Sequence, residues 1–167
     1  MNTTYTNSSK DEAEIRRLIA DWSSALEAKN AQGLTANYVS DVVVFDAIPP
    51  YKVEGTAALS DTWEKCLPFF PETFRSEHRD VSVHVQGDTA FAFGMHHIVT
   101  DEEGHPSAQT WLRITLCFRR IGGNWKVVHE HVSLPFNPMN NQAWIIRDPS
   151  VPDAPDYSGA CCGGGDS

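Results

Sequence analysis

The chain has 167 residues, 13 basic against 22 acidic, and a net charge of -9. That length fits one domain able to bury a core and enclose a pocket, and the acidic balance argues against nucleic acid or an anionic membrane, which reward clustered Lys and Arg. With no apolar run long enough to span a bilayer and a polar stretch at 1–10, the expectation is a soluble cytoplasmic protein without membrane contact.

The first predicted element is a helix. Ser9 and Glu12 have capping-box spacing, and Ile15, Leu18, Ile19, Trp22, Ala25 and Leu26 recur on one face. Asn30 caps a shorter second helix running through Leu34 to Tyr38. Residues 42–45 read as a strand ending at Asp46, before a Pro-rich loop at 48–51. Thr56 starts a third helix carrying Leu59, Trp63, Cys66 and Leu67, which Pro68 stops.

Everything after that reads as strand. Val81, Val83 and Val85 alternate up to a Gly87-Asp88 turn, residues 90–99 return, and 101–106 turn again. Residues 108–120 and 125–134 complete a meander around Gly122-Gly123, a pair free to adopt φ > 0. Its last strand carries His129, Glu130 and His131. Side chains alternate along a strand, so Glu130 points one way and both histidines the other.

Helices followed by antiparallel strands predict an α+β fold: a cone-shaped, strongly curved, mostly antiparallel sheet wrapped around three N-terminal helices. The domain is expected over residues 1–136, ordered from about 9, with a C-terminal arm and flexible Gly-rich tail over 137–167. Trp144, Ile145 and Ile146 are the arm's expected anchor. Cys66 and Cys117 read as small buried hydrophobes; Cys161 and Cys162 fall in the tail, and no CxxC spacing suggests zinc.

Several motifs carry a family resemblance. They are Ala20-Asp21-Trp22 with Asn30-Ala31-Gln32-Gly33-Leu34, Val44-Phe45-Asp46, Glu54-Gly55, and the final hairpin. Over residues 11–136 the chain resembles the SnoaL-like group of the nuclear transport factor 2-like superfamily, which includes ketosteroid isomerase. The hairpin, with Arg119-Arg120, Trp125 and Val128-His129-Glu130-His131-Val132-Ser133, also looks like the association domain of calmodulin-dependent protein kinase II.

Periodicity does not choose the concave face, because both faces of the last two strands are partly apolar. The resemblance to ketosteroid isomerase implies an interior of Phe91, Phe93, Met95 and His97, then Trp111, Arg113 and Thr115, then Val128, Glu130 and Val132. Trp22 closes it from the first helix and Asp46 from the rim, and Tyr51 is placed with the substrate-binding residues. Leu112, Ile114, Leu116, Phe118, Val127, His129 and His131 then face outward. So apolar an outer face implies a homodimer formed sheet to sheet.

The resemblance makes Asp46 the candidate general base, since burial raises a carboxylate's pKa toward the useful range; a turn-capping Asp is the plainer reading. The isomerase's Tyr and protonated Asp, which form its oxyanion hole, are matched here by Trp22 and Thr115, which are weaker donors. Arg113 and Glu130 are expected to meet across the hairpin, either as a structural ion pair or as an oxyanion-holding Arg with a proton carrier. His97 is either a satisfied core residue or an acid, and the aromatic stripe is either core or a bed for a flat ligand. His129 and His131, with His96 from another strand, lack a companion carboxylate, so no metal is expected. Without a GxGxxG or Walker loop, no cofactor is expected.

The expectation is thus a cofactor-independent enzyme applying acid/base chemistry to a hydrophobic, carbonyl-bearing small molecule, of isomerase, cyclase or dehydratase type. The alternative is a non-catalytic ligand-binding or oligomerisation module like the kinase association domain. A free carboxylate in the cone discriminates between them: if Asp46 faces solvent and Glu130 is tied to Arg113, no base remains.

Overall fold

The computed structural model describes residues 3–157, with side chains from Ser9 onward. Helix α1, Thr3–Glu27, begins before the expected Ser9 cap, since no Gly or Pro precedes it to stop the helix. It ends where Lys29 turns to φ 51 and Asn30 N–H donates to Ala25 O at 2.9 Å. Asn30 then caps α2, Ala31–Thr35, by accepting from Gly33 N–H at 3.0 Å, which leaves Tyr38 to begin a strand rather than end the helix. Helix α3 is Thr56–Cys66, and Pro68 sits in the 3₁₀ turn Leu67–Phe69 that follows.

Six strands form one curved sheet: β1 Tyr38–Phe45, β2 Lys52–Glu54, β3 Arg75–Gln86, β4 Thr89–Val99, β5 Leu112–Ile121 and β6 Asn124–Ser133. Their order is β2-β1-β6-β5-β4-β3, antiparallel except where β1 runs parallel to β6. The Gly122-Gly123 turn has φ of 58° and 83°, which L side chains rarely adopt. Among the described residues no helix is long and apolar enough to cross a membrane.

The core lies between α1 and the concave face. Ile15, Leu18 and Ile19 pack on Val42, Val44, Ala90, Ala92, Leu116, Phe118, Trp125 and Val127. Ala90 and Ala92 are small, and the large Leu116 and Phe118 of the neighbouring strand fill the space beside them. The expected orientation of β4 and β5 is therefore inverted. Ile114, Leu116 and Phe118 are buried inside, whereas Phe91 and Phe93 are 46% and 44% exposed outside. Leu112 pairs with the buried His96 and belongs to the inner face as well.

Two β-bulges decide the remaining faces. One in β3 lies between Arg79 and Ser82, with Asp80 at φ 54, so His78 faces inward before it and Val81, Val83 and Val85 after it. It leaves no room opposite Gly94, where an added Cβ would lie 3.0 Å from Arg79 O. The second, in β6, pairs Cys117 with His129 but Phe118 with Val127. Val128 is the extra residue, so Trp125 and Val127 point inward below the bulge and Glu130 and Val132 above it. Val127, expected outside, is core; Val128, expected inside, lines an outer-surface cavity with Val39 and Arg119.

The C-terminal arm is anchored near the expected residues. Trp144 N–H donates to Pro135 O at 2.7 Å, and Trp111 N–H donates to Ile146 O at 2.8 Å. The arm includes a two-stranded ribbon, β7 Phe136–Asn137 and β8 Gln142–Ala143. Cys161, Cys162 and the expected Gly-rich tail lie outside the described residues.

Candidate active site

Four of the expected site residues meet in the cone. Trp22 projects from α1, Asp46 follows the end of β1, and Glu130 and Val132 come from β6. Glu130 pairs across the sheet with Val44 on one side and Leu116 on the other, both buried, which fixes its carboxyl to the inner face. Asp46 lies two residues beyond Val44 and therefore on that same face.

The two carboxyls occupy different environments. Glu130 is buried, and burial pushes its pKa from 4.5 up to about 7; the nearby Asp46 charge adds to the rise and the Tyr38 hydroxyl opposes it. Tyr38 makes a short hydrogen bond to Glu130, donating its hydroxyl to Oε2. The phenol itself is held well above its usual range, first by burial and then by the Glu130 charge. Burial also raises Asp46, but the backbone N–H groups of Ile48 and Ala47 oppose that by stabilising its carboxylate. The Ile48 N–H lies 3.3 Å from Asp46 Oδ1.

Trp22 forms the hub of an aromatic wall. Its ring centroid is 5.9 Å from Trp63, 6.1 Å from His78 and 5.5 Å from His96, all edge-on. Its buried indole N–H completes no hydrogen bond: the Tyr38 oxygen is outside bonding geometry but near enough to feel the dipole. His78 and His96 stand 4.8 Å apart, centroid to centroid, on paired positions of β3 and β4. A serine network holds them: Ser23 Oγ is 3.1 Å from His78 Nδ1 and 3.1 Å from Ser76 Oγ, which is 2.9 Å from His96 Nε2. Burial lowers their pKa values to about 4 and about 3, His78 adding to the effect on His96, so both are neutral near pH 7. Cys66, at the end of α3, has its thiol pushed up to about 11, mainly by burial and further by the Asp46 charge.

The other expected site residues lie elsewhere. Arg113 is exposed on the convex face opposite Ser133, and Glu130 pairs with Leu116, so the Arg113–Glu130 contact does not form. Met95 and Arg113 instead line an outer-surface cavity of about 470 Å³ that the arm closes with Trp144, Ile146, Arg147 and Asp148. That larger cavity is on the wrong side of the sheet for the carboxyls. His97 stacks on Trp111 at 4.9 Å and makes a 2.8 Å hydrogen bond with Ala108 O, also outside. Phe91 and Phe93 stack with His84, Thr115 pairs with Phe93, and Tyr51 is 80% exposed. His129 and His131 face outward as expected, beside Phe45.

Sequence reasoning missed Tyr38, His78 and His96 as site residues. Tyr38 alternates in step with Val42 and Val44, so β1 periodicity could have found it. His78 could not be found that way, because the β3 bulge breaks the alternation between it and the valines. Among the described residues no group of three or more His, Cys, Asp and Glu is arranged to hold a metal ion.

The interior therefore holds an acid with near-neutral pKa, a second carboxylate at the rim, two neutral imidazoles and an unpartnered indole N–H. None of these lining groups is Lys or Arg. Such a set can move protons on an uncharged molecule.

Comparison with known proteins places this geometry in a family. An NTF2-like protein of unknown function from Pseudomonas putida KT2440 is 33% identical, with 85% of this chain and 99% of that one covered at a TM-score of 0.78. A proposed dehydratase of the NTF2-like family from Streptomyces avermitilis shares the fold at 21% identity, over 75% of this chain and 96% of that one, with a TM-score of 0.62. A proposed calcium/calmodulin-dependent protein kinase II association domain from Xanthomonas campestris does so at 17% identity, over 72% and 84%, with a TM-score of 0.61. No curated protein matches the chain significantly. The sequence profile of the SnoaL-like domain matches residues 15–137, the whole cone, and the chain belongs to that family, within the NTF2-like superfamily.

Proposed function

We propose that the cone is the active site of a cofactor-independent enzyme acting by acid/base chemistry on an uncharged, hydrophobic, carbonyl-bearing small molecule. Within that class, dehydration of a β-hydroxy carbonyl compound fits the site best. One observation carries the choice: two carboxyls share one face, the rim Asp46 with backbone donors that favour its charged form, and the buried Glu130 favouring its acid form. Environments that separate two carboxyls in this way mark a base and an acid.

Asp46 removes the proton beside the carbonyl, and the C–H electron pair becomes the enolate. When the carbonyl re-forms, that pair becomes the C=C bond and the C–O bond to the hydroxyl breaks. Glu130 delivers a proton to the departing oxygen, which leaves as water. The indole N–H of Trp22 is an available donor for the carbonyl oxygen, and the His78–His96 wall supplies neutral polar groups for the hydroxyl. The fold shared with a proposed dehydratase is compatible with this assignment.

The aldol adduct of benzaldehyde and acetone is a suitable probe, because loss of water gives the ultraviolet-absorbing benzalacetone. Turnover is expected, with a loss of about 10²–10⁴-fold in Asp46→Asn and in Glu130→Gln. Exchange of its α-protons with deuterated solvent reads the base alone. Folded variants that both exchange and turn over like the parent protein would sink the catalytic reading and leave the binding-module reading in place.

We also propose a homodimer through the convex face, with a different set of residues from that expected. The rings of His84, Phe91 and Phe93 lie within 20° of parallel, with centroids 4.8 to 6.3 Å apart, and leave apolar surface open. Sedimentation of Phe93→Glu should show a lighter species than the parent; an unchanged mass rules out this surface.

A further inference from the structure

The bond between Tyr38 and Glu130 joins groups 92 positions apart in the chain and both buried. The two reach each other because β1 runs parallel to β6. Tyr38 opposes Val127, and an irregularity between Tyr38 and Val43 separates that pair from the Val44–Glu130 pair. The phenol thus lies along the strand below the carboxyl rather than directly across from it. Its hydroxyl meets only one carboxyl oxygen, Oε2. No hydrogen bond among the described residues meets Oε1.

We propose that Tyr38 is a positioning residue for Glu130: by donating to Oε2 it fixes the carboxyl rotamer and leaves Oε1 as the oxygen that carries and delivers the exchangeable proton. The inference rests on the acid role assigned to Glu130 under the proposed function and deepens it. Without the phenol, the carboxyl could rotate and present either oxygen, and the proton would spend time facing Leu116 or β1 rather than the lumen. A donated hydrogen bond also favours the carboxylate, so Tyr38 moderates the rise in proton affinity that burial imposes. The other groups facing this pair are few. Asp46, just past the end of β1, raises both, the Trp22 N–H from α1 is near the phenol oxygen, Cys66 from α3 faces Asp46, and β5 presents Leu116.

The test is to follow the Glu130 carboxyl by infrared titration, its band identified by its loss in Glu130→Gln, in the parent protein and in Tyr38→Phe. Phe keeps the buried ring and removes the donor. Because the lost donor stabilised the charged form of the carboxyl, the Glu130 midpoint should rise by about one pH unit or more. The carboxyl band should also broaden as the side chain gains rotamers. Site-specific replacement of Tyr38 by a fluorotyrosine, a stronger donor of nearly the same shape, should move the midpoint down. It also answers the question if Tyr38→Phe fails to fold. A midpoint unmoved in either variant, or moved in the opposite sense, overturns the proposal.

With the benzaldehyde–acetone adduct, Tyr38→Phe should lower kcat more than it raises KM and shift the pH profile in the same direction as the infrared midpoint. The two readings separate cleanly. A shifted midpoint in a protein without turnover upholds the positioning role and removes the reaction. An unmoved midpoint in a protein that Glu130→Gln inactivates removes the positioning role and keeps the reaction.

Discussion

Glu130→Gln offers a measurement of the site's energetics that needs no substrate. Burial holds the folded carboxyl near pKa 7 against an ordinary value of 4.5. The folded state therefore binds this proton more tightly than the unfolded chain does. Below pH 4.5 both states are protonated and Glu130 carries no penalty; as pH rises toward 7 the unfolded chain ionises freely while the folded protein resists, and stability is lost. A rise of 2.5 pH units at about 1.4 kcal/mol each gives about 3 kcal/mol. Gln keeps the shape and an oxygen to accept from Tyr38, and it never ionises. Urea denaturation of both proteins at intervals from pH 4.5 to 8 should show similar stabilities at the acid end. The variant should then draw ahead by about 3 kcal/mol at the alkaline end, with an unchanged m-value. A difference that stays flat across that range would mean that Glu130 is not a buried acid, and the acid role would fall with it.

The buried histidines act in the opposite direction. With folded pKa values of about 4 and about 3 against 6.5, they are most compatible with folding above pH 6.5 and cost stability as pH falls toward 4. At pH 5 each should remove about 2 kcal/mol, and His96→Gln should halve that acid sensitivity in thermal melts. The orientation of the sheet is tested by Phe118→Ala, which should cost about 3–5 kcal/mol, against Phe93→Ala on the convex face, which should cost under 1 kcal/mol to the monomer. Equal losses in chemical denaturation would contradict the burial of Phe118 and the exposure of Phe93. At the tip of the sheet, Arg120 binds Asp11 at 2.7 Å and stacks on Trp125 at 4.4 Å. Arg120→Ala should destabilise by about 1–2 kcal/mol without touching turnover. The Asp11 pKa is depressed, so the part due to the ion pair should vanish as pH falls through it.

The sequence by itself determined the elements and their order. Helical spacing from Ile15 to Leu26, the Asn30 cap, the Pro68 stop and the Gly122-Gly123 turn are local signals, and each acts through bonds or contacts within a few residues. Asp46 and Glu130 stand out as the carboxyls of interest through the family resemblance, since strand periodicity alone leaves open which face is concave. The tertiary structure decided which face of β4 and β5 is inside. Strand alternation has period two, so a one-residue error in aligning these strands turns every side chain over. That error took Phe91, Phe93, Met95, His97, Trp111, Arg113 and Thr115 for cone residues. Their neighbours Leu112, Ile114, Leu116 and Phe118 are the larger apolar series, and Leu116 and Phe118 share the core with Ile15, Leu18 and Ile19 of α1. Only the folded sheet could bring His78 to His96, Ser23 to Ser76 and Tyr38 to Glu130. Those contacts depend on two bulges and one parallel pairing, and the burial that makes the groups reactive comes from helices far away in the chain.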